Sequence, residues 1–408
     1  MTKESRFQQI HFYLLISISF LLPVGRLAVF PVILLIINFL VSSIAVGMHP
    51  QPQKKTAAIL YSSLYLFYLL GMLWSGNSSY GFFDLQVKLS LFLFPVIFFF
   101  SRPVNAQKMR FIIGAFVAGC CTALIACFFR SGYLFIAKSE EHFSYMEFSF
   151  LLHPSYFAMY LNFAIAAIMV FLIRERGSYR RWIPSVFLIV LFITGNIFLA
   201  SKMGLVSMVL MFLIFLGYFI IRSKKYLLSI GILAFLILTC YFAYTHIERL
   251  SVTVSLINKA WNEKEKYKQD AESTMSRIFI WEACAGLVKE NFFFGTGTGD
   301  AKDVMLEKYK QEGLTGIYQK QLNAHNQFLQ TFIAIGFTGM LLLFFGVLVQ
   351  FIHSIRVRDL LLFLFLFLIV INFLVESMLE TQAGVVFYAF FNSLLYFGCD
   401  EKYYLKTA

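Results

Sequence analysis

Residues 182–221 read WIPSVFLIVLFITGNIFLASKMGLVSMVLMFLIFLGYFII, and Lys202 is the single charged side chain among them. A helix needs about 20 apolar residues to cross roughly 30 Å of hydrocarbon. The stretch therefore divides into two spans, 182–199 and 203–221, with Ser201-Lys202 in the turn between them. Lipid offers backbone amides no water, which restricts spanning structures to helices and closed barrels. A barrel strand would alternate apolar and polar residues over about ten positions, whereas these runs are continuous. The stretch predicts a helical membrane protein.

The same reading extends outward in both directions. Twelve spans are expected, at roughly 10–22, 27–46, 56–74, 88–101, 109–129, 153–173, 182–199, 203–221, 226–245, 326–350, 358–375 and 380–398. The composition agrees, because 59% of the 408 residues are hydrophobic and 14% charged, too few polar groups to cover a soluble domain. Pro23 and Gly25-Arg26 interrupt the first long run, so the first two spans form either a tight hairpin or one kinked helix. Charge decides between these. With a cytoplasmic N-terminus, 18 of the 34 Lys and Arg fall in cytoplasmic segments and five in short loops on the other side: Arg26, Lys88, Arg130, Lys138 and Lys202. A Lys/Arg excess marks the cytoplasmic face, and merging the first two spans would invert every later loop. Both termini are expected in the cytoplasm. The basic start, Lys3 and Arg6, has no small-residue cleavage site after its apolar run, so the first span is expected to stay.

The net charge of +12 lies between apolar runs, with no basic tract or nucleic-acid motif, so nucleic acid is not an expected partner. The six cysteines fall in or at the ends of apolar runs, except Cys284 in the long polar segment, and set no disulfide or zinc framework. The expected fold class is all-α: a polytopic transmembrane helix bundle of about 12 spans with one large loop domain containing short amphipathic helices. Its parts are an N-terminal membrane bundle, 1–245, of about nine spans; a loop domain, 246–325; and about three C-terminal spans, 326–408. Eleven basic residues in the loop are balanced by eleven acidic ones, as in a folded soluble unit on the outer side. Ser276 is the expected cap of a helix over 277–290 with Ile278, Trp281, Ala285 and Val288 on one face. A second helix fits 301–311, and Asn323 is expected to cap the long helix that begins near His325.

Five cations, Arg26, Lys88, Lys202, Arg277 and His325, fall on the outer face or just inside it. For any one of them the plain reading is a side chain that snorkels and anchors a helix end. Their common side is the one that cations avoid, however, and Lys202 occupies a two-residue turn. Together they point to an anion at headgroup depth. A lipid diphosphate fits, since Arg and Lys donors match phosphate oxygens. His325 opens the string Asn323-Ala324-His325-Asn326-Gln327-Phe328-Leu329-Gln330. In a first helical turn the dipole disfavours the imidazolium and leaves a neutral base; the plainer alternative is a polar cap. His142, His153 and His246 share that side with weaker claims.

The run Gly295-Thr296-Gly297-Thr298-Gly299 could offer amides to a phosphate, but it lacks the Lys-Ser/Thr of a phosphate loop and reads as a turn. Glu376 and Glu380 flank a short outer loop, where they could orient a basic residue or an acceptor; a solvated loop face is the expectation. There is no Asp-x-Asp, no His-Glu-x-x-His and no carboxylate cluster within the expected spans, so neither a metal nor ion-coupled transport is expected.

Four strings in order, Ser201-Lys202, Arg277-Ile278-Phe279-Ile280-Trp281, the glycine run 295–299 and His325-Asn326-Gln327-Phe328-Leu329, resemble the pattern of the O-antigen ligase and O-antigen polymerase superfamily of membrane glycosyltransferases. Arginine is usual where Lys202 stands. The resemblance implies a bacterial inner-membrane enzyme with its active site on the periplasmic face and no cofactor. It would move a glycan from an undecaprenyl-diphosphate carrier to lipid A-core, with inversion and without a metal. His325 and Arg277 would be catalytic, Lys202, Lys88 and Arg26 would bind the diphosphate, and Ser201, Trp281 and Asn326 would support them. Membrane lipids surround the chain as partners. The alternatives are an O-antigen polymerase joining lipid-linked repeat units, acting on another glycan as acceptor, or a protein O-oligosaccharyltransferase. A flippase for lipid-linked sugars would line a path through the bundle with charges, which the expected spans lack. A structural scaffold would leave the outer-face cations unexplained.

Overall fold

A computed structural model describes residues 2–174, 179–223 and 274–398, with single helical positions between 230 and 245. Helices α1 (Lys3–Leu21), α2 (Val29–Ala45), α3 (Lys55–Leu70), α4 (Ser78–Lys88), α5 (Ser90–Phe99), α6 (Ala106–Lys138), α7 (Tyr145–Phe148), α8 (Pro154–Arg174), α9 (Tyr179–Leu199) and α10 (Lys202–Ser223) precede the loop unit. That unit carries α11 (Thr274–Glu290), α12 (Ala301–Gln311) and α13 (Thr315–Gln319), and α14 (Gln327–Arg356), α15 (Leu360–Phe373) and α16 (Gln382–Phe397) follow. Among the described residues nine helices are long and apolar enough to cross a membrane, and α15 and α16 are shorter apolar helices. These match expected spans; the ninth expected span, 226–245, and the segment 246–273 lie outside the described residues, apart from the single helical positions noted.

The α1–α2 connection settles the first ambiguity. Two 3-10 turns, Leu22–Val24 and Arg26–Ala28, meet at Gly25, and the two helices pack on each other as a hairpin. The fourth span is longer than expected. Asn77 accepts from the Tyr80 amide and caps α4, so the helix begins ten residues before Lys88 and continues through Leu89 into α5. Lys88 is thereby moved from the start of the span to its middle, at the junction of α4 and α5.

Helix α8 is the axis of the bundle and is buried nearly all round, against α6, α9, α10 and α15. Small residues let its neighbours approach, as in membrane helix pairs generally. Asn162 on α8 donates to the Gly204 carbonyl (2.8 Å) and Ser207 Oγ (3.0 Å) on α10 and accepts from Asn196 on α9 (3.2 Å). This buried bond set fixes the α9–α10 turn that carries Ser201 and Lys202. Helix α2 instead turns Ile33, Leu34, Ile37, Leu40, Val41 and Ile44 outward, a face for lipid.

In the loop unit α12 falls where the sequence predicts it, but α11 starts at Thr274 and buries a different face. Phe279, Ile280, Ala283, Cys284 and Leu287 are inside, against Met305, Tyr309, Leu314 and Ile317, while Ile278 and Ala285 are exposed. Ser276 lies within the helix and Cys284 within this small core. Asp300 clamps the unit to the turn after α3 by accepting from the amides of Gly76 and Asn77, both at 2.7 Å.

Helix α14 is broken at Ile335-Gly336, where Gly336 has φ +69°. The break is a geometric necessity. Straight, the thirty residues of α14 would rise roughly 45 Å, and the fourteen of α15 rise about 21 Å. Yet Asn326 Nδ2 donates to the Leu374 carbonyl at 3.1 Å, so the first half of α14 must turn back toward the end of α15. The glycine run holds it there. Thr296 and Gly297 amides donate to the Ile333 (2.7 Å) and Ala334 (3.0 Å) carbonyls that the break leaves free, and the Phe337 amide donates to Phe292 (2.9 Å). The run's amides at 296, 297 and 299 are thus used inside the protein, which favours the turn reading over a phosphate cradle.

Candidate active site

The loop between α15 and α16 brings Glu376 between two of the predicted residues. Its Oε1 lies 3.5 Å from His325 Nδ1 and its Oε2 4.0 Å from Arg277 Nη2. His325 Nδ1 is buried with no formed hydrogen bond, so Glu376 is the group that faces it. Burial pushes the Glu376 carboxyl up, but the nearby His325 ring, the Arg277 guanidinium and His153 outweigh it and hold it below the usual carboxylate range. The expectation of a solvated loop face is therefore corrected: the Glu376 side chain is 16% exposed and faces the Arg277 guanidinium and the His325 ring. With Nδ1 turned to the carboxylate, Nε2 is the ring nitrogen left for chemistry.

The backbone under His325 is over-determined. His325 itself has φ +43° and precedes the helix, so it is not in a first turn and the expected dipole effect does not reach it in that form. Asn326 rather than Asn323 is the cap, accepting from the Leu329 amide. Asn323 Oδ1 takes the His325 amide (3.0 Å), Gln330 Oε1 takes the Ala324 amide (3.1 Å), and Trp281 Nε1 donates to the Ala324 carbonyl (3.0 Å). Trp281 stands one turn after Arg277 on α11, so one helix delivers the guanidinium and pins the strip that bears the imidazole. Asn326 ties the strip to Leu374, two residues before Glu376.

The other predicted cations are placed differently. Ser201 is buried and caps α10 by accepting from the Gly204 amide at 3.2 Å, and Lys202 is the first residue of that helix. Gly204 packs on Ala158, one turn into α8, which puts Lys202 at the same end of the bundle as His153 and Glu376. Arg26 is exposed in the α1–α2 turn, where Gly25 abuts the Leu151 carbonyl near that end.

Lys88 departs from expectation. It is 0% exposed, with Nζ 2.5 Å from Asp84 Oδ1 and 2.7 Å from Glu380 Oε2, and it stands over the Tyr68 ring at 4.8 Å. An ammonium has three donors, and two carboxylates and a ring face occupy them, so this geometry does not support a phosphate contact. The expectation that no carboxylate cluster lies within the spans fails with it, because α4 starts early enough to carry Asp84 inside. Sequence reasoning gave Glu376 too little weight and missed Asp84 altogether. The available signal was the acidic pair Glu376 and Glu380, four residues apart in an otherwise apolar region.

Comparison with known families bears on the same residues. The family model described as O-antigen ligase matches residues 187–344. That segment is similar to O-antigen ligases. The match supports the resemblance to the O-antigen ligase and polymerase superfamily, and the matched segment contains Ser201, Lys202, Arg277, Trp281, His325 and Asn326. Glu376, Glu380, Lys88 and Arg26 stand outside the matched segment, so the carboxylate that lies between Arg277 and His325 is supplied by a later part of the chain. No curated protein matches the chain.

Proposed function

We propose that the protein is an inverting, metal-independent glycosyltransferase of the bacterial inner membrane. It transfers a glycan from undecaprenyl diphosphate to lipid A-core at the periplasmic face. The observation that carries this reading is Glu376 standing between His325 and Arg277 at the edge of the segment similar to O-antigen ligases. His325 Nε2 takes the proton of the acceptor hydroxyl as that oxygen attacks the anomeric carbon. The bond from that carbon to the diphosphate oxygen breaks on the opposite face, which inverts the centre. Glu376 holds the imidazole in the tautomer that presents Nε2 and stabilises the imidazolium that forms, the role of a carboxylate behind a histidine base. Arg277 uses its donors not turned to Glu376 to stabilise charge growing on the departing diphosphate. Lys202 and Arg26 are assigned to the same anion farther out; Lys88 leaves that set.

The test is a deletion strain complemented with wild type, His325→Ala or Arg277→Ala at matched membrane levels, with surface glycan read on a gel. Long chains that accumulate on the lipid carrier in both variants support a ligase. Single repeat units on the core would indicate a polymerase instead, and normal surface glycan in both variants would remove the catalytic assignment.

A further inference from the structure

The buried triad of Lys88, Asp84 and Glu380 has no part in the chemistry above, yet it lies under the loop that supplies Glu376. Glu380 ends the 3-10 turn Met378–Glu380, four residues after Glu376. Its Oε2 receives Lys88 Nζ at 2.7 Å, and its Oε1 is buried without a hydrogen-bond partner. The loop is pinned a second time next door, where the Leu379 amide donates to Gln327 Oε1 at 2.7 Å. Gln327 Nε2 then donates to Thr331 Oγ1 (3.2 Å), which also accepts from Tyr68 OH (3.0 Å). The Tyr68 ring lies beneath the Lys88 ammonium at 4.8 Å, which closes the circuit. Thr298 Oγ1 donates to the Tyr68 carbonyl (2.6 Å) and joins the glycine run to it. Each of these polar side chains is buried or nearly so, in surroundings where an unmatched charge is far costlier than at a surface.

We propose that Lys88 is a positioning residue, which through Glu380 holds the 374–381 loop so that Glu376 stands between His325 and Arg277. Three features favour this over a ligand role. The lysine is fully buried, its three donors face two carboxylates and a ring, and the circuit it closes passes through Gln327, two residues from His325. Removing the ammonium takes away the partner of Glu380 Oε2 and leaves two buried carboxylates without a counter-charge, which releases the loop from this anchor. A displacement of about 1 Å at a reacting group costs on the order of 10²-fold in rate. The inference rests on the proposed role of Glu376.

The experiment uses the full chain in nanodiscs and measures transfer kinetics against donor concentration for wild type, Lys88→Met and Glu380→Gln. A positioning role lowers kcat in both variants, by roughly 10- to 100-fold as for residues that orient a catalytic group, with the donor KM unchanged. The charge-swapped pair Lys88→Glu/Glu380→Lys recovers part of the loss. A raised donor KM with kcat kept in Lys88→Met, and no effect of Glu380→Gln, overturns the proposal in favour of a ligand. If Lys88→Met does not reach the membrane, Glu380→Gln decides by the same split, and an unchanged kcat there overturns the proposal. A second readout needs no turnover: diethylpyrocarbonate labelling of His325, followed by mass spectrometry. Labelling in Lys88→Met should move toward that of Glu376→Gln; a rate equal to wild type overturns the positioning role. A wild type that transfers no glycan would remove the proposed function while the labelling still tests whether Lys88 sets the Glu376–His325 contact.

Discussion

Glu376 concentrates the electrostatics of the site, and its behaviour with pH follows from its partners. Its folded pKa is lowered, so the stability it contributes is fully present above the ordinary carboxyl value of about 4.3 and is lost as pH falls through the lowered folded value. Glu376→Gln should therefore reduce the melting temperature of the detergent-solubilised protein most near neutral pH, and the gap to wild type should close below about pH 4. A gap that widens in acid would contradict the assignment. Arg277 is tested by shape as well as charge. Arg277→Ala should slow transfer by on the order of 10²-fold, and Arg277→Lys should recover only part of it, because an ammonium reproduces the charge but not the planar fork. The sequence singles out His325 and Arg277 through their strings. It offers Glu376 only as a group that could orient a basic residue, since the contact it makes spans fifty residues of chain and no local pattern encodes it.

At the scale of elements, the broken helix α14 makes the site possible. A Cβ on Gly336 would lie 2.2 Å from the Phe293 carbonyl oxygen, and a Cβ on Gly295 would lie 2.6 Å from the Gly336 amide nitrogen. Gly336→Val should therefore push the glycine run off the break and abolish surface glycan, with loss of folded protein visible as reduced membrane level. Trp281→Phe is the gentler probe, since it keeps the ring and removes the donor to the Ala324 carbonyl. One hydrogen bond is worth about 1 kcal/mol, so the variant should stay folded and lose roughly fivefold to tenfold in transfer rate, measured on purified protein. Helix existence was read well from apolar runs, because hydrocarbon thickness leaves little choice of length. The break was not, since the run through 326–350 is apolar on both sides of Gly336. Nor was the buried face of α11, where Ile278 and Ala285 fit a helical stripe as well as the residues that are inside.

At the scale of the molecule, a helical membrane bundle carries Arg277, His325 and Glu376 at one end, and the distribution of basic residues in the sequence predicts that this end faces outward. Two exposed positions test the sidedness. Glu312, after α12, and Arg358, before α15, stand at opposite ends of the bundle. An impermeant maleimide should label Glu312→Cys in intact cells with a permeable outer membrane, and Arg358→Cys only after the inner membrane is opened; the reverse pattern would invert the topology. The predicted sidedness rests on charge bias, a sum over many residues that is insensitive to any one span end. For that reason it could not reveal that Lys88, counted as an outer cation, is turned inward to two carboxylates.

The most direct measurement is a double-mutant cycle on transfer rate, with Glu376→Gln, His325→Ala and the two combined, on purified protein in nanodiscs with lipid-diphosphate donor and acceptor. If Glu376 acts through His325, each single variant falls by on the order of 10²-fold or more and the double variant is no slower than His325→Ala, the non-additivity of groups that work as a unit. Losses that multiply would mean that Glu376 and His325 act separately, and would contradict the site described here.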